Sequence, residues 1–177
     1  MASVWTSRGA ARIAAALVVA SATAVQAVQI DQPAPELDIK LLNGKTLKAK
    51  TLRGKVVVNV IWATWSPAAR MELSEIQKIY HDYRDNGLEI VALSIDENVS
   101  EVRDFWRERG YSFRSALRSD AFFEHYGRVS TTPTFYIIDR QGILRHRIAG
   151  IVGYEKLEAL LKPLLAEPMR ENGVANR

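Results

Sequence analysis

An abrupt change of hydrophobic period between residues 56 and 83 constrains the fold more than anything else in this chain. Val56 to Ile61 is a dense β-branched run, the pattern of a strand covered on both faces rather than one half open to water. Beyond Trp62 to Pro67, Leu73, Ile76, Tyr80 and Tyr83 recur at steps of three, four and three. That is one apolar stripe along a helix, stopped by Asn86-Gly87. Strand therefore becomes helix across Trp65-Ser66-Pro67. Pro67 is tolerated in the first helical turn, where backbone donors lack intrahelical partners, and Ser66 is placed to cap one of them.

The flanking segments extend this alternation. Leu37 and Ile39, the turn signal Asn43-Gly44 and the return through Leu47 predict a small hairpin ahead of the main fold. Glu89 to Ile95 reads as a strand. A helix follows, with Asn98 as cap, Glu101 as its capping-box partner, Val102, Phe105 and Trp106 on its buried side, and Gly110 at its end. A short helix through Phe122, Phe123 and Tyr126 closes near Gly127, its aromatics read as core. Thr134 to Ile138 and Leu144 to Ile148, separated by Asp139 to Gly142, form a second hairpin, and Gly153 precedes a helix with Leu157, Leu160, Leu161 and Leu164 as its stripe. No repeat or long linker divides the pattern. The expected architecture is one α/β domain, a three-layer α/β/α fold around a central sheet.

At 177 residues the chain suits a single compact domain that needs neither metal nor disulfide to hold it together. It contains no cysteine, which removes disulfides, thiolate metal sites and every cysteine nucleophile. Arg8 and Arg12 precede a small, apolar run from Ile13 to Ala20, and Ala22-Thr23-Ala24 or Val25-Gln26-Ala27 offers a cleavage site, so residues 1 to 27 read as an export signal. A retained membrane anchor is the alternative, although the run is short beside the roughly 20 apolar residues of a spanning helix. Residues 28 to 36 form an extended lead-in, 37 to 166 the domain, and 167 to 177 a flexible tail. Cleavage would remove two arginines and no acid, lowering the formal net charge from +4 to +2. The remaining charges are interspersed and form no basic stripe with aromatics, which argues against nucleic-acid binding.

Trp62-Ala63-Thr64-Trp65-Ser66-Pro67-Ala68-Ala69-Arg70 resembles the active-site segment of the TlpA/ResA-like branch of thioredoxin-fold thiol-disulfide oxidoreductases. Val129-Ser130-Thr131-Thr132-Pro133-Thr134 resembles the loop that carries the family's cis-proline, and the likeness runs from about Leu37 to Leu165. It implies a thioredoxin-like fold with a mixed central sheet, a family cysteine pair at Ser66 and Ala69, and an acidic residue at Glu72 that influences thiol ionisation and proton transfer. It also implies a substrate-binding loop at Thr132 and Pro133, next to Trp65. Relatives often carry Asn or Asp at the position of Val60, and a helix-kinking proline at that of Ser74. A bulge that shifts Asn59 inward, or loss of the buried polar group, would explain the first departure.

Chemistry then limits what the site can do. A helix N-terminus favours a thiolate, but Ser66 has no thiol/disulfide couple and Ala69 has no atom to resolve an intermediate. As a serine nucleophile Ser66 would need a base within reach, and His81 lies about four helical turns away. Glu72 is either a solvated first-turn carboxylate or a buried acid beside the former redox pair. His81, His125 and His146 have no ligand spacing and Met1, Met71 and Met169 form no soft-ligand cluster, so neither a metal nor any other cofactor is expected.

Three functions fit. One is an exported, periplasmic reductase whose CPAC-type site has been replaced by Ser66-Pro67-Ala68-Ala69, with a parent that reduces disulfides in apocytochromes, metallochaperones or other exported proteins. Another is a natural redox-inactive relative that binds peptides or assists assembly. The third is a structural interaction domain whose binding face lies elsewhere.

Overall fold

The computed structural model describes residues 27–168, so the expected export signal and most of the expected tail lie outside the described residues. A two-residue hairpin, β1 (Ile39–Lys40) and β2 (Thr46–Leu47), precedes β3 (Val56–Trp62), α1 (Pro67–Tyr83), β4 (Leu88–Ser94) and α2 (Val99–Arg109). Then come β5 (Arg114–Leu117), α3 (Asp120–Tyr126), β6 (Thr134–Ile138), β7 (Leu144–Ala149) and α4 (Tyr154–Ala166). The main sheet has the order β5-β4-β3-β6-β7. β3, β4 and β5 are parallel, while β6 and β7 join antiparallel, so the sheet is mixed. With helices on both of its faces, this is the thioredoxin-like α/β arrangement.

The double burial expected of residues 56 to 61 is complete, since every residue of β3 is buried. Strand geometry sends alternate side chains to opposite faces. Val56, Val58, Val60 and Trp62 pack with Leu73 and Ile76 of α1, Val102 of α2 and Leu157, Leu161 and Leu164 of α4. Val57 and Ile61 pack on the other side with Leu41 and Leu47 around the hairpin and Phe122 and Tyr126 of α3. The centre of the sheet is thus dry on both sides, and β3 is a rigid platform for the loop that follows it.

Three details differ from the sequence reading, two of them in β5 and α2. β5 was not anticipated: it is four residues long and opens on the polar pair Arg114-Ser115, so it carries no periodic signal, and its pairing with β4 makes it a strand. Glu101 also does not complete the capping box by accepting from a backbone amide. Asn98 caps α2 by accepting from the Ser100 N–H, and its own side-chain amide donates to Glu101 at 3.0 Å.

β3 pairs with β4 and β6 in unbroken register, with Asn59 opposite Tyr136, so no bulge shifts Asn59. Its side chain is buried all the same, on the sheet face away from α1, whereas Val60 faces α1 as an apolar residue. The helix is one uninterrupted run through Ser74, whose hydroxyl lies 3.4 Å from the Tyr111 hydroxyl.

The lead-in is extended only in part. It turns at Asp31, which has φ +62°, and hydrogen-bonds to the start of β7 and the turn before it through Asp31 N–H to Leu144 O and Ala34 N–H to Gly142 O, both 2.8 Å.

Candidate functional site

β3 delivers the chain to the C-terminal end of the parallel strands, and the loop at residues 63 to 66 turns it into α1. Asp96 fixes this loop from the end of β4. Its carboxylate accepts from the Thr64 N–H at 3.0 Å and the Thr64 hydroxyl at 2.6 Å, and also from the Ser94 hydroxyl. Sequence reasoning missed Asp96 because nothing local relates it to a residue 32 positions away.

Ser66 is the N-cap of α1, as its sequence position implied. Its hydroxyl accepts from the Ala69 N–H at 3.3 Å and donates to the Thr132 carbonyl, also at 3.3 Å. The oxygen is buried and both partners are backbone groups, so no histidine stands ready to activate it. Pro67 occupies the first helical position and is exposed, Ala68 is half-buried, and Ala69 is fully buried. The positive end of the α1 dipole, which would hold a thiolate in a cysteine-bearing site, therefore faces a neutral hydroxyl already committed to capping.

Glu72 resolves in favour of burial, with 1% of its surface exposed. Its Oε1 accepts from the Val152 N–H at 3.2 Å and the Gly153 N–H at 2.9 Å. Gly153 is the N-cap of α4, so the carboxylate lies at the positive end of a second helix and supplies the cap that glycine lacks. In this way α1 and α4 are joined directly behind the degenerate site.

The Thr132-Pro133 peptide is cis. Pro133 itself is buried and Thr132 is half-buried, so Thr132 rather than the proline ring presents the loop to solvent. Pro133 O accepts from Gly150 N–H at 2.8 Å and the Thr134 hydroxyl donates to Thr131 O at 2.6 Å, which braces the loop on both sides. Among the described residues the Thr132 N–H has no acceptor.

Trp65, Met71 and Ile151 are 66%, 69% and 59% exposed. Each of these side chains adjoins a residue of the site: Trp65 precedes Ser66, Met71 precedes Glu72, and Ile151 precedes the Val152 that Glu72 binds. Among the described residues no helix is long and apolar enough to cross a membrane, and no three His, Asp or Glu side chains converge on a metal position.

A thioredoxin-like sheet with this strand-to-helix corner opposite a cis-proline agrees with comparison to known proteins. The AhpC/TSA family model matches residues 30–147. The chain belongs to the AhpC/TSA family. Within that family its relatives are ResA-like: it is 33% identical over 138 residues to the thiol-disulfide oxidoreductase ResA of Bacillus thuringiensis (strain Al Hakam), covering 77% of this chain and 79% of that protein. The fold matches the thiol:disulfide interchange protein of Chlorobium tepidum TLS with a TM-score of 0.73 at 21% identity, over 79% of this chain and all of that one. It also matches a secreted thiol-disulfide isomerase of Corynebacterium glutamicum at 0.70 and 20% identity, over 76% and 86% of the two chains. This AhpC/TSA member is thus a ResA-like thioredoxin-fold chain without a cysteine anywhere in its 177 residues.

Proposed function

We propose that this chain is an exported, redox-inactive ResA-like protein that holds extended segments of other exported proteins against the Thr132 loop. The observation that carries this reading is the unpartnered Thr132 N–H, in a loop bonded to Ser66, which follows the exposed Trp65, and to Gly150, which precedes the exposed Ile151. An extended peptide can form a main-chain hydrogen bond with such an open loop N–H and gain apolar contact from the side chains beside it. Redox inactivity follows from chemistry, because Ser66 cannot attack a disulfide to form a mixed disulfide and Ala69 cannot resolve one. Export rests on Arg8, Arg12 and the apolar run that follows them, and places the protein in the periplasm or an equivalent exported setting, tethered if the leader is kept. Its partners are exported polypeptides, among which apocytochromes and metallochaperones are the ones the family resemblance suggests.

Carboxymethylated insulin B chain, unfolded and unable to exchange thiols, tests the reading by fluorescence anisotropy. Saturable binding that weakens at least about fivefold in Trp65→Ser and in Pro133→Ala, near one kcal/mol, supports it. Equal binding by all three proteins overturns the use of this loop, and turnover of intact insulin by the unmodified chain overturns redox inactivity.

The intact frame favours a second reading. Asp96 fixes the loop that leads into Ser66, Glu72 is buried further along the same helix, and the Thr132 carbonyl meets the Ser66 hydroxyl, as a site would look after a CPAC-type pair had been replaced in an active reductase.

A further inference from the structure

The face of the sheet opposite α1 carries a cavity that the peptide-binding reading does not use. Its volume is about 950 Å³, near the top of the roughly 300 to 1,000 Å³ range of small-molecule sites. Val57, Asn59 and Ile138 form its floor, Phe122 and Tyr126 one wall, and the lead-in around Ala34 and Leu37 its roof.

Two observations separate this cavity from a packing gap. The first is Asn59, 5% exposed, on the floor. Its Oδ1 is buried without a partner, and its side-chain amide makes no hydrogen bond among the described residues. Buried amides are ordinarily satisfied, and one left open beside a cavity marks a place where a hydrogen-bonding group fits.

The second is the roof, which is held off the floor by polar tethers on three sides. Ala34 N–H donates to Gly142 O at 2.8 Å, the Tyr126 hydroxyl donates to Pro35 O at 3.1 Å, and Arg53 donates twice to the Glu36 carboxylate, each bond 3.0 Å. Pro33 and Pro35 stiffen the span between these points. The roof is therefore anchored at its edges and does not settle onto the amide.

We propose that this cavity binds a small, uncharged, mainly apolar molecule carrying an N–H, O–H or amide group that pairs with Asn59. Leu37, Ile39, Leu52, Val57, Phe122 and Ile138 supply the apolar surface. Glu36 is paired with Arg53 and Asp139 with Arg145, while Arg140, which also lines the cavity, has no carboxylate partner among the described residues and spends its terminal nitrogens on three backbone carbonyls. A cationic ligand would find no free carboxylate and an anionic one would have to compete with those carbonyls for Arg140, whereas a neutral one disturbs neither.

N-Phenyl-1-naphthylamine, a neutral fluorophore with one N–H donor, is the probe, titrated into the full chain. Saturable fluorescence enhancement at one site per chain is expected. Asn59→Leu removes the amide while keeping the same branched skeleton of side-chain heavy atoms, and is expected to weaken the probe by roughly tenfold, the scale of one lost buried hydrogen bond. The same substitution is expected to raise the thermal midpoint of the unliganded protein, because an unsatisfied amide has gone. Ala34→Trp, which fills the cavity from the roof, is expected to abolish the enhancement. If Ala34→Trp does not fold, Asn59→Leu carries the test alone. Absence of saturable binding to the full chain overturns the proposal, whether the cavity closes or a segment of the chain occupies it. So does unchanged probe affinity in Asn59→Leu.

Discussion

The Ser66 hydroxyl stands 3.3 Å from the Thr132 carbonyl and joins the start of α1 to a loop 66 residues further along the chain. In a cysteine-bearing site the same position holds the attacking sulfur beside the substrate loop, and here a capping oxygen fills it. Replacing Ser66 with Cys together with Ala69→Cys is therefore expected to create a dithiol couple at the α1 N-terminus. A redox titration and an insulin-reduction assay check this. Recovery of exchange supports the replaced-reductase reading, and a folded but inert double variant removes it.

Capping by Ser66 has a stability consequence that is independent of redox chemistry. Ser66→Ala leaves the Ala69 N–H without its cap and is expected to cost about 1 kcal/mol in urea unfolding. An unchanged midpoint would show that the hydroxyl contributes nothing to helix initiation.

Glu72 is expected to matter more than a surface carboxylate. Glu72→Ala leaves the Val152 and Gly153 amides at the buried start of α4 without an acceptor, at a cost of roughly 1 to 3 kcal/mol. Glu72→Gln keeps one acceptor oxygen and is expected to lose less. Similar unfolding midpoints for the two variants would contradict the capping role.

Arg140 is a staple, donating to Gly54 O, Asn86 O and Leu165 O, which ties the approach to β3, the turn after α1 and the end of α4 to one guanidinium. Arg140→Met is expected to destabilise by about 3 kcal/mol, since charged donors to backbone carbonyls are individually strong. Gly87→Ala acts on the same contact. A Cβ there falls 2.8 Å from the Arg140 guanidinium, at a φ of +90° that side chains rarely adopt. Both variants are expected to unfold at lower denaturant concentration, and wild-type midpoints would rule out the staple.

Several carboxylates have lowered pKa values in the folded chain. Glu36 is held down chiefly by its hydrogen bond to Arg53, Asp38 by Lys48 and then the Ala49 amide, and Asp82 by the Tyr154 hydroxyl and then His81. Glu158 is lowered by the Tyr83 hydroxyl and then Lys162. Because each folded value is below its unfolded one, the unfolded chain binds more protons in the interval between them and stability rises with pH there. These groups contribute fully above about pH 5 and progressively lose that contribution as the pH falls through their folded values. Urea midpoints across that range check the sign, and a midpoint that increases on acidification would reverse it.

The fold was legible where local chemistry and tertiary packing agree. Val56 to Ile61 carried its double burial in composition alone, and Ser66-Pro67 marked the helix start because capping needs only residues next to one another in sequence. Arg114 to Leu117 was illegible because an edge strand of four residues acquires its identity from the neighbour it pairs with. The site divides in the same way. The places of Ser66, Ala69, Thr132 and Pro133 could be read from their motifs, and the absence of a thiol from composition.

Distance along the chain sets the limit of such reading. Capping, turn chemistry and hydrophobic period act over a few residues, so the sequence by itself determined the strand-to-helix corner and the thiol-free chemistry at its tip. Burial and hydrogen-bond satisfaction depend on groups that meet only after folding. Tertiary structure therefore decided that Glu72 caps α4 across 81 residues, that Asp96 fixes Thr64, that Trp65 stands in solvent, and that the Asn59 amide lies unpaired beneath a tethered roof.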